Sequence, residues 1–422
     1  MEQSTVALII VGVALVSFAT EIIPLSITAV GACVAMVMTN ILTFTEAFSG
    51  LSSPTMMLGI GMGIMANGMM DCGLANKVGI FIISKFKTER PFMTVVFLTS
   101  AFLSAFLSNF AVTATFMGLI SAIAIKSEGR ITRKNCFFAL LLGSVLGGSC
   151  TLVGSTPNIS VQAIMEATPG VTPMTFFTLA PGGVIIVLFT AILLNTVYYP
   201  LAKRFFAFED VPYEGNLPEM DIPWNRDMTI SCISMAWCII NFVGGWINIG
   251  ITAIVAGMIT VIFKVVDRKT FWKGVEWEAL IIMGAAIGFA NGVNISGAGK
   301  IISDFIINLF GGIDTASPVI LLTAIMVAGT ILTNIMSNTA VGVMLAPIAI
   351  MTAQSVGAKP ETFAIGVIMC AGFSFATPIA TASATLIMSA GYKFRHYLIV
   401  GGTLTVLIMI FSCIVLPLVY GL

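Results

Sequence analysis

The sequence predicts an all-α membrane protein: two inverted repeats, about 10 transmembrane helices in all, plus two re-entrant hairpins. Three observations predict it. Of 422 residues, 58% are hydrophobic and 9% charged, with mean hydropathy +1.05, where a soluble domain carries about a quarter charged residues. The apolar segments run near-continuously, as membrane helices do and barrel strands do not. They also fall into two series of the same order, and each series holds a polar "SN" pair deep in an apolar stretch.

In the first repeat, residues 1–205, simple spans fall at about 5–20, 22–42 and 54–70. A long element at 91–126 follows, then an interrupted span at 135–165 and a closing span at 181–202. A polar linker, 206–227, reads as cytoplasmic. In the second repeat, 228–422, the spans are 228–244, 247–266 and 276–294, the long element 315–355, the interrupted span 361–391 and the closing span 396–420. Local echoes bind the two series: "ANGMMDCGLANK" (66–77) with "ANGVNISGAGK" (290–300), and "SNFAV" (108–112) with "SNTAV" (337–341), at offsets of 224 to 229 residues.

Charge decides how the long elements run. Lys85, Lys87 and Arg90 precede the first and Lys126, Arg130, Arg133 and Lys134 follow it, so both its ends are cytoplasmic by the positive-inside rule. The second has no basic excess at either end, so both its ends are external. Each is therefore a re-entrant hairpin, entering from opposite faces. Five crossings per half then leave only Lys300 and Lys359, of the 19 Lys and Arg, outside. Both termini fall outside, and the odd crossing number makes the repeats inverted, with a binding site expected at mid-membrane. The setting is a cell inner (plasma) membrane.

Hairpin tips and interrupted helices leave backbone groups without helical partners. Freed N–H groups suit an anion; freed carbonyls and hydroxyls suit a hard cation. The interruptions are "GGSCTLVGSTPNIS" (147–160) and "FATPIATASAT" (375–385), aligned so that Gly154 meets Ala380 and Ser155 meets Thr381. Four residues before each hairpin serine stands another hydroxyl, Ser104 before Ser108 and Thr333 before Ser337, stacked on one helical face. Neutral oxygens can shelter a desolvated monovalent cation. A proton relay would want Asp, Glu or His within the membrane, and these motifs hold none, so sodium is the expected coupling ion.

Other classes fare worse. Zero net charge gives no case for nucleic acid. The eight cysteines lack CxxC spacing and read as small hydrophobes, so no metal centre, other cofactor or enzyme chemistry is expected. A channel would want a continuous polar pore. Small and hydroxyl residues in membrane helices commonly serve helix packing, the competing reading for any single Ser or Thr but a poorer one for paired motifs beside broken spans.

At these residues the chain resembles the divalent anion/sodium symporter family of the ion-transporter superfamily. Its Ser-Asn-Thr signature at each tip is matched by Ser108-Asn109-Phe110 and Ser337-Asn338-Thr339, and its two breaks by "GSTPN" (154–158) and "ATASA" (380–384). The resemblance covers essentially the whole chain. It implies an elevator-type homodimer that symports sodium with a small anion, a C4 dicarboxylate such as succinate or malate first. Sulfate-like oxyanions, monocarboxylates and sodium-independent anion exchange are the alternatives. It implies a first sodium site at Ser104, Ser108, Asn109 and Gly154, and a second at Thr333, the Met336 carbonyl, Asn338 and Ala380. The anion would be held by Asn109, Asn338, Thr339, Ser155 and Thr381. Two departures stand out. Phe110 replaces a hydroxyl, which puts a symmetric two-carboxylate grip in question, and "TASA" lacks the prolines that would keep the second span broken. The amphipathic stretches 75–86 and 299–310 look like arms joining a moving domain to a fixed one.

Overall fold

The computed structural model describes residues 2–83, 85–210, 217, 221–267, 271–272, 275–312 and 317–422. Among these the chain is helical throughout, and the elements of one half recur in order in the other. The first half runs α1 (Gln3–Thr20), α2 (Leu25–Met38), α3 (Pro54–Asp71), the arm α4 (Leu74–Ile83), the hairpin α5 (Glu89–Ser104) and α6 (Asn109–Lys126), the broken pair α7 (Arg133–Gly148) and α8 (Thr156–Ala167), and the closing α9 (Ala180–Phe205). The second runs α10 (Arg226–Gly244), α11 (Ile249–Ile262), α12 (Trp277–Ile295), the arm α13 (Ala298–Leu309), the hairpin α14 (Pro318–Thr333) and α15 (Asn338–Ser355), the broken pair α16 (Pro360–Ala371) and α17 (Ala382–Ile387), and the closing α18 (Phe394–Tyr420).

Local chemistry sets these boundaries. Ser53 accepts from Met56 N–H and Pro54 opens α3; Asn225 caps α10 through Met228 N–H. Pro318 and Pro360 stand in the first turns of α14 and α16, where a missing N–H costs nothing. Both closing helices contain one π turn, Leu194–Tyr198 and Tyr397–Gly401.

Packing sorts the helices into two bundles. The simple spans of both halves interlock: α3 lies along α11, and α2 along α12. Gly61 makes the first approach close, since a Cβ there would strike the Ala253 backbone; small residues let membrane helices meet in this way. The hairpins, broken pairs and closing helices form the other bundle, α5 on α7, α14 on α16 and α9 on α18. The bundles meet chiefly where α12 packs against α8. Among the described residues, six helices are long and apolar enough to cross a membrane, and the protein is a multi-pass membrane protein.

The breaks are unequal. The first leaves residues 149–155 outside helix, the second residues 372–381. The second span is broken although "TASA" lacks the family's prolines; Pro378 stands inside the break, and side chains described below brace it.

Candidate functional site

The two hairpin tips, residues 105–108 and 334–337, border one cavity of about 380 Å³. Its wall combines Ser108–Ala111 and Ser337–Thr339 from the tips with Gly154–Pro157 and Ala380–Ser383 from the breaks. The opposite wall comes from the other bundle, α3 between Gly59 and Met70 and the start of α12 from Glu276 to Leu280.

Both tip serines are helix caps. Ser108 Oγ accepts from Ala111 N–H and Ser337 Oγ from Ala340 N–H, each at 3.3 Å. The caps fix α6 and α15 so that Asn109 and Asn338 are their first residues, at the electropositive ends of 18-residue helices. Ser155 and Thr381 are likewise the caps of α8 and α17; Thr381 Oγ1 accepts from Ala384 N–H, while Ser155 makes no capping bond. The equivalence of Ser155 with Thr381 therefore holds in position.

In the first half, oxygens converge on the Asn109 amide. With Oδ1 inward it accepts from the buried Ser104 Oγ at 2.7 Å. Turned over, its nitrogen donates to Ser104 Oγ at 2.7 Å, Ser144 O at 2.9 Å and Gly154 O at 3.1 Å. Without a cation the turned amide is better, because it pairs two carbonyls that otherwise face an oxygen. A cation reverses the preference, since four oxygens can then face it. The cluster requires glycine on both sides: a Cβ at Gly148 would lie 2.6 Å from Asn109 Oδ1, and one at Gly154 would lie 2.5 Å from Gly148 O.

The second half repeats the arrangement with different atoms. Thr333 Oγ1, fully buried, stands 2.8 Å from Asn338 Oδ1 and 2.7 Å from Ala371 O. One hydroxyl proton faces two acceptors, so three oxygens share one hydrogen. Ala371 O comes from the last residue of α16. Ala380 lines the cavity beside this cluster. Met336 is buried in the tip, its N–H donating to Leu332 O, but it is not part of the cavity wall.

The anion-binding candidates Asn109, Phe110, Ser155, Asn338, Thr339 and Thr381 all line the same cavity. Phe110 is 49% exposed into it, where Thr339 stands in the second half. Among the described residues the wall carries one charged side chain, Glu276, and no Lys, Arg or His.

Three polar side chains make contacts that the sequence motifs did not assign. Asn158, fully buried, donates to Gly148 O and Thr151 O at 2.8 Å each. Asn334 spans the second tip and the second break. Glu21, the C-cap of α1, accepts from Ser337 N–H at 2.8 Å. An Asn three residues ahead of Ser337, where Ala105 stands three ahead of Ser108, was the available signal.

Two bundles enclosing a cavity, with mirrored oxygen clusters at its floor, define a membrane transporter. The chain belongs to the citrate transporter family: the family model matches residues 15–357 and again 239–421. An uncharacterized transporter of Methanocaldococcus jannaschii is 23% identical over 92% of this chain and 87% of its own. The sodium-dependent high-affinity dicarboxylate transporter 3 of Caenorhabditis elegans is 21% identical (93% and 79%), and the Staphylococcus aureus sodium-dependent dicarboxylate transporter SdcS 22% (88% and 77%). The fold is that of the Alcanivorax borkumensis YdaH transporter, TM-score 0.67 at 13% identity (92% and 89% covered), and of Neisseria gonorrhoeae MtrF, TM-score 0.65 at 14% (100% and 96%). The protein is an anion transporter and not an enzyme.

Proposed function

We propose that the protein is a sodium-coupled secondary transporter of a small dicarboxylate, a C4 acid such as succinate or malate first, working by an elevator motion. The observation that carries this reading is a cavity with two neutral oxygen clusters and no fixed cation among its described wall residues. A dianion entering such a cavity meets helix N-termini, the acidic side chain of Glu276 and whatever cations the clusters hold. At an effective dielectric of about 20, a unit charge pair some 6 Å apart is worth roughly 3 kcal/mol. Two bound sodium ions therefore turn an unfavourable site into a favourable one, and the anion in turn tightens sodium. The relatives named as sodium-dependent dicarboxylate transporters support the same pairing.

In this reading Ser104, Asn109, Ser144 O and Gly154 O hold one sodium, and Thr333, Asn338 and Ala371 O the other. Asn338, Thr339 and Thr381 grip the anion from the second half, Asn109 and Ser155 from the first, with Phe110 as an apolar wall. The caps Ser108 and Ser337 place these groups. The bundle of hairpins, broken helices and closing helices moves against the simple spans, and the halves, 1–205 and 228–422, are inverted repeats joined by the cytoplasmic linker 206–227. Both termini then lie outside, and the working unit is a homodimer. Glu276 and Met70 stand at span ends beside basic loops, so the cavity faces the cytoplasm.

Radiolabelled succinate uptake into proteoliposomes, with and without an inward sodium gradient, tests the proposal. Uptake driven by sodium is expected. Uptake indifferent to sodium but dependent on internal dicarboxylate would replace symport with exchange.

A further inference from the structure

We infer that Asn334 is a positioning residue for the second cation site, tying the second hairpin to the broken segment behind it so that both carry their oxygens as one unit. The inference rests on the cation-coupled reading above.

Asn334 follows Thr333 directly, as the C-cap of α14. Its side-chain nitrogen donates to Thr330 O at 2.7 Å and to Phe373 O at 3.0 Å. Its Oδ1 accepts from Ala376 N–H at 2.8 Å, and its own carbonyl accepts from Thr377 Oγ1 at 2.7 Å. One residue thus answers three separate groups of the break. Non-helical backbone survives in a membrane only where its polar groups are met, and here the hairpin meets them.

The first half shows what is added. Its Thr151 hydroxyl donates to Ala105 O, the equivalent of the Thr377 bond to Asn334 O. Position 105 is alanine, so the side-chain clamp has no counterpart there. Asn158 performs that duty from within the broken pair, through Gly148 O and Thr151 O. Ala384 stands at its place in the second half.

The consequence falls on the cation site. Thr333 adjoins Asn334 in sequence, and Ala371 lies two residues before Phe373. The clamp therefore holds both edges of the oxygen cluster at once. Without it, Thr333 Oγ1 and Ala371 O can part, and a cation must draw them together before it is bound, which weakens binding without removing a ligand.

The test measures sodium directly on purified protein: thermal unfolding against sodium chloride, with choline chloride holding ionic strength constant. Wild-type protein is expected to gain stability from sodium with a Hill slope above one. In Asn334→Ala the half-maximal sodium concentration should rise by at least about five-fold, the equivalent of one lost hydrogen bond, and the slope should fall toward one. Ser104→Ala, at the other cluster, gives the reference for a one-site defect. Should Asn334→Ala give no folded protein, Asn334→Ser, too short to bridge tip and break, is read in the same way. A variant that melts lower at every sodium concentration but keeps the wild-type midpoint and slope makes Asn334 a fold residue only, and overturns the inference. Wild-type protein without any sodium-specific gain would instead sink the coupling reading, and this inference with it.

Discussion

The two halves break the same helix by different means. In the first, seven residues leave the helix, 149–155, and the gap is closed from inside by Asn158 and by glycines whose backbones nearly touch. In the second, ten residues leave it, 372–381, and the gap is closed from outside by the hairpin, through Asn334. Two solutions to one problem show that the oxygen cluster is what both halves retain, and that the bracing around it is free to vary. The difference also separates local from relayed effects. A change in the first break acts on its own cage, whereas a change in the second hairpin reaches the break it holds.

The largest expected effect tests what the halves share. Asn109→Ala and Asn338→Ala each remove the amide that joins cation and anion in its half. Each should cut sodium-driven uptake by about 100-fold or more, the equivalent of some 3 kcal/mol, while the folded yield stays near wild type. Normal uptake by either variant would show that its half is not a site at all.

Next come substitutions that set one half against the other. Gly154→Ala puts a methyl 2.5 Å from Gly148 O and 2.9 Å from Ser104 O, so the first cage must open; uptake should fall by about ten-fold. Ala380→Gly at the aligned position should stay within about two-fold, because the second cluster already tolerates that methyl group. Equal effects at the two positions would erase the proposed asymmetry of packing.

A smaller change is expected at Phe110. Phe110→Thr gives the first tip the hydroxyl that Thr339 gives the second, and should tighten or broaden dicarboxylate use by a few-fold in KM, read as competition of C4 and C5 dicarboxylates with labelled succinate. An unchanged inhibition series would take Phe110 out of the site.

Much of this was legible in the sequence because it rests on periodicity and on polar exceptions to it. Apolar run lengths gave the spans, the Lys and Arg distribution gave an expected orientation, and Asn109 and Asn338 stood out as amides in apolar surroundings. What stayed hidden depends on contacts between segments far apart in the chain. Asn334 is one polar residue among several until Phe373 and Ala376 are seen beside it. The caps at Ser108 and Ser337 add to the reading: the Ser108 hydroxyl was expected on sodium, and in the structure both hydroxyls accept from the N–H groups that set the helix ends and place the asparagines. The second interruption was expected at 375–385 even though "TASA" lacks the family's prolines. Pro378 within it is the local signal for that break, and the long-range clamp by Asn334, which no local rule reveals, braces it.

The smallest effect sharpens the comparison most. Asn158→Ala removes two hydrogen bonds to the first break, at Gly148 O and Thr151 O, and leaves two carbonyls unmet in a dry interior. Each such loss costs about 1–3 kcal/mol, offset in part because Asn158 Oδ1 is itself buried without a partner among the described residues and goes with the side chain. The net result should be a drop of a few degrees in the melting temperature of purified protein, with sodium midpoint and slope little changed, since of the four proposed ligands only Gly154 O lies in the break that Asn158 braces, and Ser104, Asn109 and Ser144 belong to other elements. That is the opposite signature to Asn334→Ala, whose clamp joins hairpin to break. If Asn158→Ala instead shifts the sodium midpoint as far as Asn334→Ala does, then bracing from inside and bracing from the hairpin are equivalent, and the second half holds its cation site no differently from the first.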